Sequence, residues 1–143
     1  KKEKKLERER REKRIKIPLQ AVTEFLHAFG LGVESVPNAK LPEAIAQLRY
    51  NLMKEENEEY LEAAQSHDLV EIGDALGDML YILCGTIIAH GFQGKMEAIF
   101  DEIQRSNMSK LGADGKPIYR EDGKVLKGPN YFKPNIEKIL EKD

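Results

Sequence analysis

Residues 69–89 read LVEIGDALGDMLYILCGTIIA, and the fold turns on this stretch. Apart from Glu71, Asp74 and Asp78 it is uncharged, it contains no proline, and its apolar residues fall on every side when successive positions are turned by about 100°. With Ser66-His67-Asp68 before it and His90-Gly91 after it, the stretch predicts one α-helix, with Asp68 as its N-cap. A helix apolar all round is normally buried. The acids inside the apolar run make it a poor membrane span and a good central helix of a bundle.

Outward from this helix the pattern stays helical. Upstream, a helix is expected from Pro42–Glu43 to about Gln65, and before it Leu19, Val22, Phe25, Leu26 and Phe29 recur at helical spacing until Gly30. Pro37, Asn38 and Pro42 mark the loop between them. Downstream, a fourth helix covers about Lys95–Arg105. Residues 112–135 hold too many glycines and prolines for a helix, with a short hairpin expected where Ile118-Tyr119-Arg120 and Lys124-Val125-Leu126 flank Asp122-Gly123. A last short helix is expected over Asn135–Glu141. The fold class is therefore all-α: a helical bundle of four to five helices with an irregular basic C-terminal segment and a short β-hairpin. A charged tail occupies 1–17 and the helical domain 18–143.

The 143 residues suffice for one domain of ordinary size. Charge divides sharply along them: residues 1–16 hold ten Lys/Arg and four Glu, a net of +6, leaving the remaining 127 residues at −8. An acidic body argues against phosphate-backbone binding, and so against nucleic acid outside residues 1–16. That tail carries Glu7–Arg11, Glu9–Lys13 and Glu12–Lys16 at the i,i+4 spacing of an exposed helix, with Leu6 and Ile15 as its apolar residues. A solvated helical tail is the expectation. Cys84 alone excludes an internal disulfide, and with His27, His67 and His90 scattered there is no zinc spacing. Cys84 is expected as a small core residue.

The unusual feature is carboxylates where a core should be. On the second helix Ile45, Leu48, Leu52 and Ala63 define the apolar stripe, and Glu56 and Glu59 sit on that stripe, with Glu55 at its edge; Glu58 and Lys54 point the opposite way. On the third, Glu71, Asp74 and Asp78 share one face. Like charges at i,i+4 repel, and a buried carboxylate without a partner costs several kcal/mol or is neutralised by a shifted pKa. Something must compensate, either Lys/Arg from another helix or subunit, or a bound cation. Six hard oxygen donors without Cys or His match Mg²⁺, with Mn²⁺ as substitute, rather than zinc or copper.

Glu55-Glu56-Asn57-Glu58-Glu59 followed by a helix with Glu71, Asp74 and Asp78-Met-Leu-Tyr81 resembles the all-α nucleotide pyrophosphohydrolases, the MazG-like and phosphoribosyl-ATP pyrophosphohydrolase-like enzymes, whose signature is E-E-x-x-E and then E-x-x-D. The first half matches in full. The second admits two registers: Glu71 with Asp74 is a literal E-x-x-D, whereas Asp78-Met-Leu-Tyr81 is similar to the family's D-L-L-Y and leaves Ala75 where a Glu belongs. Residues 106–131 also resemble the C-terminal segment of a subgroup. The resemblance covers about residues 20–140.

The resemblance implies a Mg²⁺-dependent hydrolase that cleaves the α–β phosphoanhydride of a nucleoside triphosphate, releasing pyrophosphate. Glu56, Glu59, Glu71, Asp74 and Asp78 are the candidate metal ligands, with Asp78 favoured over Asp74 as inner ligand, and Glu55 is the candidate base for the attacking water. Asn107, Lys110, Lys127 and Tyr131, in a basic loop interleaved with aromatics, are candidates for phosphate or base contacts. Two alternatives stand beside this reading. One is a phosphoribosyl-ATP pyrophosphohydrolase of histidine biosynthesis, and the other a non-catalytic, metal-holding scaffold module. The family implies a homodimer or homotetramer, and so does a chain with few aromatics and one all-round apolar helix. A cytoplasmic location without membrane association is expected.

Overall fold

The computed structural model describes residues 1–142, and side chains at 1–10 and 18–142. The described residues form five α-helices: α1 Lys2–Ala28, α2 Glu43–Gln65, α3 Leu69–Ala89, α4 Met96–Met108 and α5 Ile136–Leu140. They fall into two compact units, Lys1–Gly94 and Lys95–Asp143.

In the first unit α3 packs against both α1 and α2. Asp68 caps α3 as its sequence position demands, its Oδ1 accepting from the Glu71 amide at 3.1 Å. The short turn 66–68 leaves α2 and α3 as antiparallel neighbours, with Ala63 and Ala75 both buried. The apolar core lies on the other side of α3, where Leu19, Val22 and Leu26 of α1 meet Cys84 and Ile88, with Val33 and Ile87 packed against them. Cys84 is thus a core residue, and burial pushes its thiol pKa up, away from nucleophilic chemistry.

The charged residues 2–16 and the apolar heptad after Pro18 form one continuous helix with the proline inside it. A proline removes one helical hydrogen bond, but it does not stop a helix whose two flanks both favour it: upstream charge spacing on one side, and on the other an apolar face anchored on α3. The ion pairs expected from Arg11, Glu12, Lys13 and Lys16, and the place of Ile15, lie outside the described side chains.

The all-round burial expected of α3 does not occur. Ile88 is fully buried, but Leu69 is 82% and Val70 77% exposed, and Leu76, Leu80 and Leu83 are exposed too. Two neighbouring helices can cover two sides of a third and no more. The stripe on α2 is likewise open at Ile45 and Leu48. Among the described residues α3 is the one helix long and apolar enough to cross a membrane, yet it packs on two helices and carries three acids.

Two close approaches fix the unit. Gly91, at φ +75°, ends α3 and leaves room for the Val36 carbonyl, where a Cβ would collide. Asn38 donates its amide to the His90 carbonyl at 2.8 Å, and the His90 ring donates from Nδ1 to the Asn38 carbonyl at 2.9 Å, strapping the 31–42 loop to the helix end. Within α3, Gly85 faces Arg49 of α2, whose Nη2 donates to the Ile82 carbonyl at 2.8 Å and whose Nε donates to Thr86 Oγ1 at 3.1 Å. A Cβ at 85 would collide with Nη2 and lie 3.2 Å from Cζ. Gly85→Ala is therefore expected to destabilise the protein by about 2 kcal/mol despite the higher helix propensity of Ala. Gly73→Ala, which meets nothing within 4 Å, is expected to gain up to about 1 kcal/mol instead. Paired thermal melts read both.

In the second unit Ser106 is buried on α4 and donates to the Phe132 carbonyl at 2.8 Å, while Ser109 Oγ accepts from the Phe132 amide at 3.2 Å. Arg105 lies over the Phe132 ring at 4.4 Å. Asn135 caps α5, accepting from the Lys138 amide. At Asp122-Gly123 the chain turns with a single antiparallel bridge, Tyr119 to Val125, which is short of a strand pair. Its ladder is two flanking backbone bonds, Arg120 N to Lys124 O and Leu126 N to Ile118 O, both 2.8 Å. Arg120 and Asp122, paired across the turn, occupy each other's side chains locally.

Candidate functional site

Helix α2 leaves Glu55, Glu58, Glu59 and Glu62 exposed and half-buries Glu56, so the inner position expected of Glu59 is not observed, and the acids of the site fall into two groups. Glu56 is half-buried, and its Oε2 is inaccessible and without a hydrogen-bond partner. The Glu56 carboxyl is raised from 4.5 to about 7, first by loss of solvent, then by the Glu59 carboxyl within hydrogen-bonding reach, and also by the charges of Asp78 and the exposed Glu55. So Glu55, Glu56 and Glu59 of α2 and Asp78 of α3 form one electrostatic group.

The second group opens toward the α2–α3 turn. Glu59, Glu71 and Asp74 line a cavity of about 440 Å³, joined by Glu62, Ser66 and Asp68, with Ala63 and Ala75 among its walls. Glu59 belongs to both groups. Ala75, which stands where one register would want a Glu, is 3% exposed and lies in the helix seam. Among the described residues none of these carboxylates has a Lys or Arg ion-pair partner. Nor do any three of them converge as a finished ion cage. The donor set is all hard oxygen, and Glu56 Oε2 is a buried acceptor without a donor; both suit a divalent cation of the Mg²⁺ kind.

The raised Glu56 pKa has a consequence for the metal-free protein. Between pH 4.5 and about 7 the folded chain keeps a proton that the unfolded chain has lost, so this group favours folding at the acid end of the window and that contribution is lost as pH rises through about 7. Thermal melts in chelator from about pH 5 to pH 8 are expected to show a falling contribution that Glu56→Gln removes. A divalent ion competes with the same proton, so Mg²⁺ affinity is expected to rise over the same range, with proton release measured in buffers of different ionisation enthalpy.

The four C-terminal candidates lie in the second unit. Backbone bonds bring three together: Gly128 N donates to Lys110 O at 2.9 Å and Tyr131 N to Gly128 O at 3.2 Å, while Lys127 Nζ sits 4.8 Å from the Tyr131 ring centroid. Asn107 is exposed on the last turn of α4.

Sequence reasoning gave no role to Arg49 or Glu62. Both carried a signal. Arg49 lies on the same stripe as Ile45 and Leu52, so it had to point at α3, and a glycine in an apolar helix marks the place that makes room for it. Burial lowers the Arg49 pKa.

An uncharacterized protein, L479, of Acanthamoeba polyphaga mimivirus is 40% identical over 115 residues, which is 76% of this chain. The chain spans about half the length of that relative, 45%. Residues 22–107 match the phosphoribosyl-ATP pyrophosphohydrolase family. That match takes in α2, α3 and every carboxylate described above, and so the chain belongs to the phosphoribosyl-ATP pyrophosphohydrolase family.

Proposed function

We propose that the protein is a Mg²⁺-dependent nucleotide pyrophosphohydrolase that converts a nucleoside triphosphate to its monophosphate and pyrophosphate. The observation that supports this reading is the half-buried Glu56 carboxyl, whose inaccessible Oε2 has no hydrogen-bond partner and whose neighbours are further acids with no Lys or Arg ion-pair partner among the described residues. A polyphosphate arrives as a complex with divalent ions, so an acidic site is complementary to its ions and a basic segment to its remaining charge.

Glu56, Glu59 and Asp78 would hold the ion, with Glu71 and Asp74 on the neighbouring cavity for a second ion or its waters. When bound, Mg²⁺ neutralises phosphate charge and lowers the pKa of water, and Mn²⁺ would substitute for it. Glu55, exposed beside this group, takes the proton of the attacking water. The water oxygen bonds to phosphorus, the α–β bridging bond breaks, and the bridging oxygen departs with pyrophosphate. Asn107, Lys110, Lys127 and Tyr131 are proposed to contact phosphate or base. The exposed apolar residues of α2 and α3 are proposed to be covered by further copies of the chain, as a homodimer or homotetramer. A single, reduced, buried cysteine suits a cytoplasmic location.

The family's own description supports a second substrate, phosphoribosyl-ATP, whose cleaved bond has the same chemistry. The test incubates the full chain with ribo- and deoxynucleoside triphosphates and with phosphoribosyl-ATP, in Mg²⁺ or in chelator, resolving pyrophosphate from orthophosphate. Metal-dependent pyrophosphate from a triphosphate is expected. Pyrophosphate from phosphoribosyl-ATP alone would assign the histidine-pathway reaction, and none from any substrate would leave a metal-holding scaffold module.

A further inference from the structure

Arg49, Glu56 and Ala63 lie on the inner line of α2, seven residues apart; the first two are half-buried and the third is buried. Seven residues make nearly two turns, so the three stand in file along the seam with α3. On α3 the Arg49 guanidinium lies against Gly85, and Asp78, the acid whose charge reaches Glu56, precedes Gly85 by the same seven residues. Because the two helices run antiparallel, one step of two turns leads on both of them from the Arg49–Gly85 contact to Glu56 and Asp78. The step is about 10 Å along the axis, and Arg49 lines no part of the acid cavity. Any influence it has on the acids passes through the seam.

An arginine so near a run of acids would ordinarily pair with one of them, yet among the described residues Arg49 has no carboxylate partner. Its donors go to α3 instead, Nη2 to the Ile82 carbonyl at 2.8 Å and Nε to Thr86 Oγ1 at 3.1 Å. Neither acceptor depends on it. A mid-helix carbonyl already accepts from the amide four residues on, and the Thr86 hydroxyl already donates to the Ile82 carbonyl at 3.0 Å. What the two bonds supply is geometry, because one planar group anchored at two points on α3 resists both sliding and rotation of α2. We propose that Arg49 is a positioning residue for the metal ligands, its fork holding α2 at the axial offset at which Glu56 meets Asp78. The inference rests on the metal-dependent reading above and deepens it. Gly85 belongs to the same device, since it leaves the space that the guanidinium occupies.

The test reads Mg²⁺ affinity by calorimetry on the full chain without nucleotide, because three roles for Arg49 differ there in sign. A cation that merely lies near the site opposes a divalent ion, so Arg49→Met would strengthen Mg²⁺ binding and Arg49→Lys would leave it alone. A cation that merely supports the fold would lower the melting temperature and leave the affinity of the folded protein as it was. A positioning residue gives the opposite sign to the first and a loss absent from the second. Arg49→Met is expected to weaken Mg²⁺ binding by about tenfold or more, the size typical of residues that orient metal ligands. Arg49→Lys, which keeps the charge but not the fork, is expected to lose nearly as much, with helix content unchanged in both. Thr86→Val removes one of the two anchor points and leaves Arg49 in place; it is expected to cost roughly threefold and carries the test if Arg49→Met does not fold. Added to Arg49→Met, it is expected to cost nothing more, since both changes break the same contact. Mg²⁺ binding that is unchanged or stronger in Arg49→Met, or full affinity in Arg49→Lys, overturns the positioning role while the metal site of the parent stands. A parent that binds neither Mg²⁺ nor Mn²⁺ overturns the metal-dependent reading and the positioning role with it. Mg²⁺ binding that the variants lose, in a parent that releases no pyrophosphate, would defeat the hydrolase reading alone and leave Arg49 positioning the ligands of a scaffold's ion.

Discussion

Glu56→Gln is expected to lose at least about 1,000-fold in pyrophosphate release, corresponding to ~4 kcal/mol, and to lose Mg²⁺ binding measured by calorimetry. The substitution keeps the shape of the side chain and removes its charge. Among the described residues Glu56 Oε2 has no donor, so a bound ion would be its strong partner. In the metal-free protein the same change is expected to cost no stability near neutral pH. There the carboxyl is raised to about 7 and shares its surroundings with Glu59, Asp78 and Glu55, and a neutral amide relieves that repulsion. A melting temperature equal to or above that of the parent, together with a dead enzyme, is the signature of a ligand rather than a structural residue. Undiminished Mg²⁺ affinity in Glu56→Gln would remove Glu56 from the ligand set.

Asp78→Asn is expected to lower turnover by about 100-fold or more, and Asp74→Asn by no more than about tenfold. The two aspartates are one turn apart on one face of α3, and the sequence ranks them only through two competing registers. Both are exposed, but their neighbours differ. Asp78 is close enough to Glu56 for its charge to raise that carboxyl, whereas Asp74 lines the cavity with Glu59 and Glu71. Side-by-side kinetics of the two variants decide the register. A dead Asp74→Asn beside a near-normal Asp78→Asn would establish Glu71 and Asp74 as the working pair.

The bounds of α2 and α3 were legible because caps and breakers act within a few residues. Pro42 and Ser66-His67 bound α2, and Asp68 and His90-Gly91 bound α3. The displaced acids were legible for a related reason: a periodic stripe makes any charge on it conspicuous before its neighbours are known. The boundary expected between residues 17 and 18 is not an element boundary: the local cost of Pro18 is offset by the anchoring of Leu19, Val22 and Leu26 on α3, which is a long-range contribution.

The sequence by itself determined that α2 and α3 are helices, that Glu56 and Glu59 share a face of one, and that Glu71, Asp74 and Asp78 share a face of the other; the structure half-buries Glu56 and leaves Glu59 exposed. Helical periodicity is a property of the local backbone, and it fixes which side chains share a face. The tertiary structure decided which of those acids meet. Pairing across a seam depends on the axial offset of two helices, and that offset is set by how Ala63 and Ala75 fit in the seam and how Arg49 lies over Gly85. The same offset placed Asp78 with Glu56 and Asp74 with Glu59 and Glu71. It also left Tyr50, Lys54 and Asn57 around an apolar groove that residue spacing along one helix cannot reveal, because its other wall is built by α3.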